Sequence, residues 1–403
     1  MKRVGGLKRH VAYGVSPKSA DGKTPLFQLQ EIRQIVNPML KDQANCYLKT
    51  LKPSLEKEGV FLLTWSELTE KEKESVKKYY NRNVFPVLTP LSVDPGHPFP
   101  FISNLSISLG VTLKHPNIDE KLFARVKVSK VLAPWICVDP EQTALRYVSL
   151  LDVMKENLAD LFPSMQVLDV MPFRLTRNAD SDQDQEDAED LLEAIEEELR
   201  QRRFAEVVRL EHGPNPDPWM LKFLMEELEI TEDDVYELPA MMDFTDLAFI
   251  GDLNLPKLKF EPYTSVVTPA FAEEGVGIFS AIKMADQLIH NPYESFAASI
   301  EKFIRTACDD PKVLAIKMTL YRTGDNSPFI RSLIRAAEQG KQVVCLVELK
   351  ARFDEERNIY WANELENAGV HVVYGVVGLK THAKTSLVVR QEQEGLRCYA
   401  HIG

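Results

Sequence analysis

The chain has 403 residues, 44% hydrophobic and 27% charged, with a net charge of -12, which is length enough for two or three domains with cores of their own. There is no apolar run of about eighteen residues, and no basic stretch followed by an apolar one at the amino end, so neither a membrane span nor a secretory signal is expected. The five cysteines are odd in number, scattered and never spaced as metal pairs, which points to a reducing cytoplasm and away from a zinc site.

Residues 1–82 read as a helical segment. Leu26, Leu29, Ile32, Val36, Met39 and Leu40 recur at three- and four-residue steps, and a second, charged helix is expected over 69–82. From residue 83 the texture changes. Prolines at 86, 90, 95, 98 and 100 punctuate a link, and strands are expected at 106–113, 123–128, 146–150, 167–176 and 207–210. A helix over 187–202 carries Leu191, Leu192, Ile195 and Leu199 on one face, which makes 83–265 an α+β head domain. Arg174 and Arg177 stand at a strand end where they could touch phosphate, whereas residues 180–198, with eleven acidic side chains and no basic one, read as a solvated loop and helix face.

Residues 266–403 alternate strand and helix. A buried strand spans 313–320, Ser327 and Pro328 start a helix that Gly340 stops, and a second strand spans 342–349. Asp354 caps a helix that Gly369 ends, and a third strand covers 370–374. Two such crossovers imply a largely parallel, right-handed α/β sheet. Functional residues in such sheets gather at the carboxyl ends of strands, where Arg322, Arg352 and the approach to His382 fall.

The run Gly378-Leu-Lys-Thr-His-Ala-Lys384 puts His382 and Lys384 two residues apart at the edge of an apolar strand, on one face by alternation. An imidazole is largely neutral near pH 7 and can attack phosphorus, and an ammonium beside it can hold the non-bridging oxygens of the moving group. Arg322 and Arg352 suit the same task, because a guanidinium fork donates two parallel bonds to phosphate. Asp354 is explained by capping, while Glu355 or Glu356 is placed to orient Arg352 or metal-bound water.

The segment from Asp310 resembles the first catalytic domain of polyphosphate kinases. The likeness runs through Leu320-Tyr-Arg-Thr323, Val347-Glu-Leu-Lys-Ala-Arg-Phe-Asp-Glu-Glu356, Ala368-Gly-Val-His371, Gly378 to Lys384 and Tyr399-Ala-His-Ile-Gly403. Phe85-Pro-Val-Leu-Thr-Pro-Leu91, His97-Pro-Phe-Pro-Phe101, Phe173-Arg-Leu-Thr-Arg-Asn-Ala-Asp180 and His290-Asn-Pro-Tyr-Glu-Ser-Phe296 extend it over nearly the whole chain. The resemblance implies an α+β multidomain protein with three parts. These are an incomplete helical N-terminal domain (1–82), an α+β head domain (83–265) and a truncated α/β catalytic domain of phospholipase D type (266–403).

It further implies reversible transfer of the terminal phosphate of ATP to inorganic polyphosphate through a phosphohistidine at His382. Lys384, Arg322 and Arg352 would neutralise the moving phosphoryl, and His401 would support them. The two arginines would mark a phosphate shell around Mg²⁺, the metal being held by phosphate oxygens and water because a guanidinium has no lone pair to offer. A net charge of -12 repels a polyanion at long range, so a local basic channel is required.

Implied partners are ATP, ADP and polyphosphate, with no nucleic acid, in a cytoplasmic protein that is a homo-oligomer when full length. His97, His115, His212, His290 and His371 read as packing or surface residues. The wider phospholipase D motif follows His-x-Lys after four residues with Asp, and here that position is Val389, which weakens a phosphodiesterase reading. A third alternative is an inert polyphosphate-binding piece. Relative to the family, the chain is expected to be an internal fragment, lacking an adenine-contacting segment before Met1 and a second catalytic domain after Gly403, and to be poorly active by itself.

Overall fold

The computed structural model describes residues 2–93, 97–117, 120–138, 145–178, 191–272, 275–322, 324, 327–351, 354–375 and 379–403. The chain divides into two compact units, residues 1–181 with 201–255 and residues 182–200 with 256–403.

The first unit opens with α1 (Lys2–Ala12), α2 (Pro25–Cys46), α3 (Lys52–Lys57), β1 (Val60–Leu63) and α4 (Glu70–Tyr79). Thr24 caps α2 by accepting from the Phe27 amide, with Pro25 in the first turn where its missing N–H costs nothing. Then come β2 (Pro90–Val93), β3 (Ile107–Lys114), β4 (Lys121–Lys127), β5 (Trp135–Cys137), β6 (Leu145–Ser149), α5 (Leu150–Asn157) and β7 (Gln166–Arg177). The helix α6 (Leu191–Arg202) intervenes before β8 (Val207–His212), α7 (Pro218–Glu227) and β9 (Val235–Glu237).

Two sheets result, one ordered β1-β6-β5 and the other β2-β4-β3-β7-β8-β9. The five strands expected in the head segment are all present. β1 lies inside the segment read as mainly helical, and it pairs in parallel with β6, so Val60 stands beside Leu145, far away in the chain. A four-residue apolar run carries no periodicity long enough to separate strand from helix.

α6 goes with the second unit. Ile195 is buried in that unit's core, with Leu192 and Leu199 packed against it. Residues 179–190, which hold most of the acidic run, lie outside the described residues.

The second unit continues with α8 (Pro269–Ala272), α9 (Ile278–Met284), α10 (Lys302–Asp309), β10 (Val313–Leu320), α11 (Pro328–Glu338), β11 (Gln342–Val347), α12 (Glu355–Asn367), β12 (His371–Tyr374), β13 (Thr385–Glu392) and β14 (Gly395–Ile402). Gly340 and Gly369 take φ of +83° and +82° directly after α11 and α12, the left-handed turn that ends a helix and that a side chain would strain. Ile330, Leu333 and Ala336 of α11 and Ile359, Ala362 and Leu365 of α12 bury against Ile316, Val343, Cys345, Val372 and Val388. Each buried aliphatic side chain contributes about 1.5–3 kcal/mol.

The sheet order is β12-β11-β10-β13-β14. β10, β11 and β12 are parallel, as two strand-helix-strand crossovers require. The expectation of a largely parallel sheet needs correction beyond them, because β13 and β14 run antiparallel. Only residues 375–384 separate β12 from β13, too few for the dozen or more that a parallel return needs, so the chain re-enters the sheet from the end at which it left. At the outer strand β14, Leu396 and Ile402 are exposed. Among the described residues no helix is long and apolar enough to cross a membrane, and all five cysteines are free thiols.

Candidate phosphoryl-transfer site

Because β13 runs against β10, the residues leading into β13 stand at the carboxyl end of the three parallel strands, together with those that leave β10 and β11. Tyr321 and Arg322 follow β10, Glu348 to Ala351 follow β11, and Leu379 to Lys384 precede β13. Arg352 and Gly378 lie outside the described residues.

His382 and Lys384 are not strand residues with alternating side chains. They sit in the loop before β13, His382 exposed and Lys384 half-buried. Thr319 on β10 anchors that loop, its hydroxyl donating to the Ala383 carbonyl (2.8 Å) and accepting from the Thr385 amide (2.8 Å). Lys384 and Gly403 exchange backbone hydrogen bonds of 3.1 and 2.9 Å, which extends the β13–β14 ladder by one pair.

What brings His382 and Lys384 together is a ring. The Tyr321 ring meets the His382 imidazole edge-on at 5.2 Å between centroids, and Lys384 Nζ lies 4.2 Å from the same ring centre. Lys380 Nζ at 5.6 Å and the Arg322 guanidinium at 5.7 Å complete the group. An aromatic face is negative, and each such contact is worth about 0.5–1 kcal/mol at an exposed site. Lys384 Nζ also donates to the His382 carbonyl, which curls the ammonium back toward the histidine.

Arg322 Nε pairs with Asp354 at 3.0 Å, and Arg357 Nη1 reaches the other oxygen of that carboxylate at 3.1 Å. Asp354 stands at the N-cap of α12, yet its side chain makes no capping bond, so the capping role expected for it gives way to this double ion pair. The Arg322 side chain is 55% exposed at the rim. Glu355 is buried in the first turn of α12.

His401 lies one strand away, on β14 opposite Ser386. Burial pushes its imidazole below the ordinary range, favouring the neutral form.

Three participants escaped the sequence reading. Tyr321 sits inside a quoted motif but reads as an aromatic residue after a strand. Glu348 is 3% exposed and accepts from the Lys350 amide (3.0 Å) and the Thr381 amide (2.7 Å). Asn358 donates to the carbonyls of Tyr321 (2.8 Å) and Glu348 (2.9 Å). Glu348 also lies inside a quoted motif, but the sequence does not show that either residue bonds backbone atoms of a distant segment.

In the first unit, Arg174 is engaged by Glu211 (2.7 Å) and Asp243 (2.8 Å). Arg177 donates to the carbonyls of Ile102 (3.0 Å) and Ala205 (2.7 Å). Those bonds are structural and do not favour the phosphate contact considered for that segment. A cavity of about 840 Å³ in this unit is lined by none of the motif residues. Among the described residues, no group of three or more His, Cys, Asp or Glu could hold a metal ion.

Three family models match the chain in order. The polyphosphate kinase N-terminal domain covers residues 1–63, the middle domain 71–250 and C-terminal domain 1 residues 277–403. The chain belongs to the polyphosphate kinase family. It is 47% identical over 427 residues to a polyphosphate kinase of Synechocystis sp. and 45% identical over 416 residues to one of Mycobacterium tuberculosis. All of this chain is covered in both matches, but only 59% and 56% of those relatives, so it spans little more than half their length. The crystal structure of a polyphosphate kinase from Porphyromonas gingivalis superposes with a TM-score of 0.75 at 24% identity, covering 97% of this chain and 55% of that one, and shows the shared fold. The domain matched to 277–403 contains the whole ring-centred group of His382, Lys384, Lys380, Tyr321 and Arg322.

Proposed function

We propose that this chain carries the phosphoryl-transfer centre of a polyphosphate kinase, with His382 as covalent carrier between ATP and inorganic polyphosphate. The observation that carries this reading is the gathering of Lys384, Lys380 and Arg322 on one aromatic ring that also packs against His382. Like charges this close repel one another, and a polyanion beside the histidine is the ligand that turns the repulsion into binding.

In the forward direction a ring nitrogen of His382 attacks the terminal phosphorus. An N–P bond forms as the bond to the bridging oxygen breaks, and ADP leaves with the electron pair. The end of a polyphosphate chain then attacks phosphorus, the N–P bond breaks, and the histidine regains its lone pair. Lys384 and Arg322 offset the charge on the non-bridging oxygens in both steps, with Arg352 assigned the same task. His401, whose neutral form burial favours, is assigned a supporting role.

Asp354 is engaged by two arginines, so the residues here fit a Mg²⁺ held by phosphate oxygens and water better than one caged by protein. Such an ion would add charge neutralisation at the phosphates. A phosphodiesterase of phospholipase D type would use the same histidine, but Val389 stands where that motif has Asp.

The test is incubation with γ-labelled ATP and Mg²⁺. The expected result is acid-labile, base-stable label on the wild-type protein and none on His382→Ala. Label that survives the substitution would overturn the assignment.

A further inference from the structure

Glu348 is buried, yet its carboxylate meets backbone amides rather than a side-chain cation: Oε1 accepts from Lys350 in its own loop and Oε2 from Thr381, the residue before His382. A buried carboxylate is costly unless its lone pairs are filled, and two charge-assisted bonds to amides fill them with fixed geometry. The same residue grips the other side of the histidine through its main chain. Its amide donates to the Leu320 carbonyl at 2.9 Å, and its carbonyl shares the Asn358 amide group with the carbonyl of Tyr321. Tyr321 is the residue whose ring packs on the imidazole. Lys380 Nζ ties the same two loops a second time by donating to the Lys350 carbonyl at 3.0 Å.

We propose that Glu348 is a positioning residue, a buried carboxylate latch that holds the Thr381–His382 backbone and the Tyr321 ring in one register. His382 lies in a loop and is exposed, so neither strand pairing nor core packing sets its place. Without the latch, Thr319 would still pin Ala383 from the far side, but among the described residues the remaining tie to the Lys350 loop would be the exposed Lys380 side chain, and the histidine could swing about the pin. A transfer that depends on in-line approach loses about 100-fold in rate for a misplacement near 1 Å.

Glu348→Gln tests this with little change in shape. The two amides meet different oxygens, and a carboxamide replaces one of these with an NH2 donor, so one amide then faces a donor and that contact must break. In the wild-type chain, the Thr381 amide should be strongly protected from hydrogen exchange although it lies in no helix or strand. The His382 ring protons should also carry a ring-current shift from Tyr321. In Glu348→Gln, Thr381 exchange should rise by about tenfold or more and the His382 resonances should move toward those of a free imidazole, while the Val388 amide in β13 stays protected.

The role rests on the phosphohistidine reading, so labelling from ATP forms a separate arm. The maximal rate of label uptake should fall about 100-fold, with the half-saturating ATP concentration changed by less than about threefold. Wild-type exchange at Thr381 as fast as an unprotected amide would overturn the latch whether or not the variant folds. So would a variant with wild-type exchange, resonances and labelling rate. A wild-type chain that takes up no label would defeat the kinase reading alone, because the exchange and resonance data still decide the latch.

Discussion

Two groups of cations, one in each unit, are held in opposite ways. In the first, guanidinium groups are closed off: Arg174 lies between two carboxylates, Arg177 between two carbonyls, and Arg125, 4% exposed, donates to the Ser108 hydroxyl and the Phe101 carbonyl. Burial pushes the Arg125 and Arg177 guanidinium groups down in pKa, the mark of charges withdrawn from water. In the second unit, Lys380, Lys384 and Arg322 converge at the exposed end of a sheet, on a ring beside a histidine. A count of basic residues, or the net charge of -12, does not separate these cases. What separates them is whether the positive ends are enclosed among buried protein groups or held at a rim where an anion can reach them.

The largest expected effect breaks the first pattern. Arg174→Ala takes one of two cations from Glu211, 4% exposed, which keeps Arg209 at 2.7 Å, and leaves Asp243 without its arginine; it should destabilise the fold by about 2–3 kcal/mol in urea titration. Lys384→Ala and Arg322→Ala should cost no more than about 1 kcal/mol in the same titration, yet slow histidine labelling by about 10–100-fold. If Arg174→Ala proves as mild as those two, the contrast between buried and rim cations is wrong.

A middle-sized effect sharpens the second pattern. Tyr321→Phe keeps the ring and should hold tripolyphosphate within about twofold of wild type, whereas Tyr321→Leu removes the surface on which three cations gather and should weaken binding about five- to tenfold. Calorimetric titration at low salt measures both, and equal affinities for the two variants would remove the ring from the account.

The smallest effect concerns His401. Burial lowers its pKa, so as pH falls the unfolded chain takes up this proton before the folded one. The stability it contributes is complete above about pH 6.5 and is lost as pH drops through the lower folded value. His401→Gln should therefore flatten the loss of stability on acidification, as read from urea midpoints across that window, and an unchanged slope would mean that the imidazole titrates freely.

The sequence by itself determined much of this protein. Apolar periodicity located α11 and α12, and glycines at 340 and 369 marked their ends. Five strands of the head segment followed from alternation, and the motif from Gly378 to Lys384 with Arg322 pointed to the family and to His382 as the candidate nucleophile. These are local signals, each written within a few turns of helix or one strand. The tertiary structure alone decided that β1 pairs with β6, that β13 returns antiparallel, that Asp354 binds two arginines instead of capping its helix, and that Arg174 is a structural ion pair. It also decided that the Tyr321 ring meets the histidine and that Glu348 accepts from the Thr381 amide. Each of those outcomes depends on a partner on another element, often tens of residues away, and the energy of a hydrogen bond or ion pair is set by the distance and burial that packing creates, which no local spacing of residue types encodes.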